Sequence, residues 1–121
     1  MPAAFVMAAS VGGEDRGGET RTQLESLLLE GEEVLIATGG KGGGALFTNL
    51  RLILVEKAGM FETRALIRFI RAGAIDGAAI DATAKLTLQL VGQGFLSANL
   101  TFDGEVDATK LAHWCAQAMH S

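Results

Sequence analysis

Few residues in this chain combine the type and the spacing that chemistry requires. The run Gly39-Gly40-Lys41-Gly42-Gly43-Gly44 has the backbone freedom to cradle a phosphate with N–H groups. It lacks P-loop spacing, however, and no Ser or Thr follows Lys41 to hold magnesium. Asp103, Glu105 and Asp107 alternate like the opening of a calcium loop, but the positions that need Gly and the closing Glu are Ala108 and Trp114. The acidic trio better suits a helix N-terminus, where the dipole favours negative charge. His113, Cys115 and His120 fall on one predicted helix, with the two imidazoles about 10 Å apart along its axis. They cannot close around one zinc without ligands from elsewhere, and there is no second cysteine. Cys115 lies on the apolar face of that helix and reads as a small hydrophobe. Asp76 and Asp81, five apart on a predicted strand, point to opposite faces and read as solvated or bridged to Arg68 or Arg71. No catalytic, metal or cofactor site is expected, and the pattern is that of a binding or assembly module rather than an enzyme.

The chain has 121 residues, 49% of them apolar and 20% charged, enough to bury one core. A net charge of −4 argues against nucleic acid, whose binding energy comes largely from Lys and Arg on phosphates. One cysteine excludes an internal disulfide and suits a reducing compartment, so a cytoplasmic location is expected. The opening MPAAFVMAAS lacks the basic start and longer apolar stretch of a signal peptide. No run reaches the ~18 apolar residues of a spanning helix.

These residues must be positioned by an organisation that the hydrophobic pattern suggests. Residues 1–19 read as a flexible N-terminal tail, with the glycine-rich stretch 11–18 as a linker, and 20–121 as a single domain. A short amphipathic helix is predicted over 20–29, capped by Thr20 or Thr22, with Leu24, Leu27 and Leu28 on one face. Seven β-type runs follow, at 34–38, 44–48, 50–55, 64–71, 74–81, 85–91 and 95–102, spaced as in a small antiparallel sandwich or barrel. Asp107 then caps a helix reaching about Met119, with Leu111, Trp114, Cys115 and Ala118 on one face.

Alternation assigns faces to the hairpins. Around Gly92-Gln93-Gly94, Leu86, Leu88 and Leu90 pair with Leu100, Ala98 and Leu96, which leaves a polar outer face. Around Gly59, Leu50, Leu52 and Leu54 oppose Ala65, Ile67 and Phe69 on the core side. The outer face of that hairpin then holds Leu46, Ile53, Val55, Leu66 and Ile70, edged by Arg51, Arg64 and Arg68. Such an apolar patch needs cover. The reading taken is that a second copy covers it, making these five residues an oligomer interface and the arginines its rim. The alternative is that the N-terminal helix covers it through Leu24, Leu27 and Leu28.

The runs LLLEGEEVLIA, ALFTNLRLILVEKAGM and TRALIRFI resemble the bacterial pleckstrin-homology-like (PH-like) domains, and FTNLRLIL is similar to the related GRAM domains. The likeness spans residues 27–119, and its most specific part is Phe47-Thr48-Asn49-x-Arg51-Leu52, in which Asn49 is expected to take the left-handed conformation of a tight turn. The resemblance implies a mainly β fold, a seven-stranded antiparallel barrel plugged by a C-terminal helix. It also implies a domain without a known reaction that self-associates, with a ring as one form of assembly and a protein partner as a further expectation. Phosphoinositide-binding relatives carry several basic residues on the first hairpin loop, where this chain has Lys41 alone, so specific phosphoinositide binding is not expected. The competing functional class is an anion- or membrane-surface-binding module using Lys41, Arg51, Arg64 and Arg68.

Overall fold

A computed structural model describes residues 5–57 and 65–120. In chain order the elements are β1 (Phe5–Ser10), β2 (Gly13–Glu14), α1 (Glu19–Leu24) running into a 3-10 turn (Glu25–Leu27), β3 (Val34–Gly39), β4 (Gly43–Thr48), β5 (Arg51–Lys57) and β6 (Ala65–Arg71). A second 3-10 turn (Ala72–Ala74) leads to β7 (Ile75–Asp81), β8 (Thr87–Gly92), β9 (Phe95–Thr101) and α2 (Ala108–His120). The strands form a four-stranded sheet, ordered β1-β9-β8-β7, and a five-stranded sheet, ordered β2-β3-β4-β5-β6. The seven expected strands are present as β3 to β9, with ends that move by a residue or two.

The main core lies between the sheets and is closed by α2. Phe47, Leu52, Leu54, Leu88, Leu90, Leu100 and Phe102 fill it, and Leu111, Trp114, Cys115 and Ala118 plug it from the helix. Asp107 starts α2 as expected, its Oδ1 accepting from the N–H groups of Thr109 (2.9 Å) and Lys110 (3.2 Å). Trp114 meets Phe47 edge-on, ring centroids 5.1 Å apart, and donates its indole N–H to Thr48 O at 2.8 Å.

Three expectations change. The segment read as a tail is part of the domain: β1 pairs in parallel with β9, Met7 and Val11 are buried in the main core, and Val11 N–H donates to Thr101 O. The supposed linker glycines allow close backbone contact. A Cβ on Gly12, whose φ is +72°, would lie 2.1 Å from Gly39 O, and one on Gly13 would lie 2.7 Å from Gly104 Cα. Helix α1 is shorter than expected and opens at Gly18, in a left-handed conformation with no side-chain cap, while Thr20 is buried. In the β8–β9 hairpin Leu90 faces Ala98 and Leu88 faces Leu100. That is a two-residue offset from the expected pairing, so the faces keep their assignment.

The β5–β6 hairpin differs in a way that matters more. Its register sets Leu52 opposite Ile70, Leu54 opposite Arg68, Ile53 opposite Phe69 and Val55 opposite Ile67. Leu52 thus lies three residues from its expected partner Ile67, and an odd offset turns every β6 side chain to the other face. Ile70 therefore enters the main core, and Ile67 joins the outer face beside Ile53 and Val55.

Candidate functional site

The apolar outer face of the five-stranded sheet is covered within the chain. Leu24 of α1 closes a second, smaller core with Leu46, Ile53 and Val55, and Leu27, Leu28, Val34, Ala37 and Ile67 pack around it. Leu46 and Ile53 are 0% exposed and Val55 is 2%. These three cannot serve as the oligomer interface that the sequence suggested, and neither can Ile70. The N-terminal helix has taken that role because Leu24, Leu27 and Leu28 lie close in sequence and reach the face without an association cost. Leu66 alone of the five stays exposed, at 47%.

The rim arginines are also engaged. Arg51 forms a two-pronged ion pair with Glu32, its Nε to Oε2 and its Nη2 to Oε1, both at 2.9 Å. Arg51 Nη2 also donates to Leu27 O at 2.6 Å, and its guanidinium sits 5.1 Å from the Phe69 ring centre. The Glu32 side chain has no solvent exposure and accepts further bonds from Thr48 Oγ1 (2.6 Å) and Leu29 N–H (3.0 Å). The hydrogen bonds from Arg51 pull its pKa down to about 2, against the opposing effect of burial.

Asn49 completes this clamp through its side chain: Oδ1 accepts from Glu33 N–H at 2.7 Å and Nδ2 donates to Gly31 O at 3.2 Å. It does not adopt the left-handed conformation expected of it, since no described non-glycine residue has a positive φ. The Phe47–Leu52 segment thus ties the β4–β5 turn to the loop after α1. Its most specific residues hold the fold together.

Arg68 pairs with Glu56 at 3.1 Å, both side chains about a third exposed. Arg64 lies outside the described residues. Lys41 is exposed on the β3–β4 loop, but Gly43 and Gly44 belong to β4 and are buried. A Cβ on Gly43, at φ +153°, would lie 2.1 Å from Val55 O, so this glycine serves strand packing. Of the four cations assigned to anion binding, two are held by carboxylates of the same chain.

The other chemically suggestive groups remain dispersed. Burial pushes the Cys115 thiol up to about 11, away from nucleophilic reactivity. Asp81 accepts from both the hydroxyl and the N–H of Thr83, which hold its pKa low. No group of three His, Cys, Asp or Glu among the described residues could hold a metal ion. No helix among them is long and apolar enough to cross a membrane.

Among the described residues the edge strand β6 pairs with β5 on one side only. It is seven residues long, contains no proline, and exposes Leu66 on one face and Phe69 (48%) on the other, with Arg71 exposed at its end. Sequence reasoning named Leu66 but placed Phe69 in the core. Because both faces of β6 carry large apolar side chains, alternation gave no signal to separate them.

Two sheets enclosing a core plugged by a C-terminal helix define a PH-like fold. Solved structures that match it include a DUF1696 family protein with a pleckstrin-homology domain from Shewanella loihica PV-4 and a pleckstrin homology domain from Shewanella amazonensis SB2B. The first superposes with a TM-score of 0.72 and 19% identity over 86% of this chain and 93% of the other. The second has a TM-score of 0.66 and 20% identity over 88% and 91%. No protein-family model and no curated protein sequence matches the chain.

Proposed function

We propose that this domain is a non-catalytic binding and assembly module that self-associates through the open edge of β6. The observation that carries this reading is the β6 edge, without a strand beside it among the described residues, with Leu66 and Phe69 half-exposed on its two faces. Such an edge offers a row of backbone donors and acceptors to another strand. Covering the exposed half of each side chain contributes about 1 kcal/mol, before association entropy is subtracted. Arg71, exposed at the end of the strand, keeps the edge from being uniformly apolar and favours a partner that brings an acidic group.

Light scattering on the wild type at tens of micromolar and on Leu66→Lys/Phe69→Lys tests the reading. The wild type is expected to exceed the monomer mass, and the variant to fall towards it with an unchanged circular dichroism spectrum. A wild type that is already monomeric overturns the proposal.

A further inference from the structure

A second surface lies at the other edge of the five-stranded sheet, and it is acidic. Three adjoining clefts, which share Glu14 as a wall, run from the N-terminal segment to the start of α2. They are lined by the carboxylates of Glu14, Asp15, Glu19, Asp103, Glu105 and Asp107 against the cations of Arg16, Lys85 and Lys110. Lys85 is committed to Asp103 at 2.7 Å. Arg16 is held loosely by Glu14 and Glu105, at 3.6 Å each on largely exposed side chains. Much of the chain's negative charge is therefore gathered at this end.

Charge is not the only feature. The middle cleft, about 350 Å³, lies between β3 and the first turn of α2. There β2 pairs only with Gly39 and Thr38, and Asp15 N–H takes the carbonyl of Ala37. Among the described residues no strand lies beside 34–36 on that side. Leu35, an exposed apolar side chain, lines the same cleft. So does Thr38, which is fully buried and whose hydroxyl has no hydrogen-bond partner among the described residues. A buried hydroxyl left unsatisfied costs free energy that a bound donor or acceptor recovers.

We propose that this groove binds an extended, Lys- or Arg-rich polypeptide segment. The free stretch of β3 supplies backbone hydrogen bonds to an added strand, and the strand's alternate side chains reach the carboxylates. Leu35 gives the apolar residues between them a contact. The electrostatic part of the binding weakens with salt, because the carboxylates lie at the surface.

The test uses the whole protein and a fluorescein-labelled peptide of alternating Arg and Val, with a Glu-Val peptide as control. Fluorescence anisotropy should report saturable, salt-sensitive binding of the basic peptide only. Glu14→Lys/Glu105→Lys, on two mostly exposed side chains, should weaken it at least about tenfold while circular dichroism stays unchanged. On the wild type, the amide signals of Leu35 and Ile36 should shift on titration, which keeps the test independent of the variant's folding. No binding up to about 1 mM overturns the proposal. So does equal binding of the acidic peptide. A change in light-scattering mass on charge reversal, without peptide binding, would assign the groove to a second copy instead. The β6 edge is not involved, so Leu66→Lys/Phe69→Lys should bind the peptide like the wild type.

Discussion

Replacing Glu32 by glutamine keeps the size of the side chain and removes the charge that holds Arg51. In the folded chain this carboxylate accepts from Arg51, Thr48 and Leu29 and is shut off from solvent. Its pKa is lowered from 4.5 to about 2. A shift of that size corresponds to about 3 kcal/mol of stability. Because the folded-state value lies below the unfolded one, this contribution is fully present above about pH 4.5 and is lost as pH falls towards about 2. About 2 kcal/mol of it is gone by pH 3. Glu32→Gln should therefore unfold about 3 kcal/mol more easily at pH 7, since it leaves Arg51 desolvated beside a neutral partner. Urea titrations of both proteins at pH 7, 5 and 3 measure this. The gap should hold at about its full size at pH 5 and close to about 1 kcal/mol at pH 3, because acid protonates the wild-type carboxyl towards the state that glutamine mimics. A gap that is equally large at pH 5 and pH 3 would refute the assignment of Glu32 as the charged centre of the clamp.

Trp114→Ala should cost roughly 3–5 kcal/mol in urea denaturation, since it empties the plug and removes the donor to Thr48 O. A loss below about 1 kcal/mol would mean the helix closes without it. Cys115, its thiol pushed up to about 11 by burial, should react with an aromatic disulfide reagent at pH 8 far more slowly in the native protein than in urea. Equal rates in the two conditions would contradict its place in the core.

The elements were largely legible in the residues. Strands β3 to β9 show as short β-type runs between turn residues, with period-two alternation in β8, and α2 shows Leu111, Trp114, Cys115 and Ala118 at helical spacing behind the cap Asp107. Strand β1 carried a signal as well, with Met7 and Ala9 on one face and Val11 just after it, but its partner β9 lies at the far end of the sequence. A parallel pairing of that range leaves no turn to betray it. The Phe47–Leu52 segment was visible as a motif, while its meaning was not, because Glu32 and Arg51 are joined only when the loop after α1 folds onto the β4–β5 turn.

By itself the sequence determined that this is a mainly β chain closed by a C-terminal helix, because alternation, turns and caps act between near neighbours. Only the tertiary structure decided which apolar surface remains open. Leu66, Ile67, Phe69 and Ile70 offer apolar side chains to both faces of β6, so local pattern is the same for either register. Pairing with β5 turned Ile70 inward, and Leu24 of α1 sealed Leu46, Ile53 and Val55. Burial depends on where distant elements come to rest, and a period of two cannot specify that.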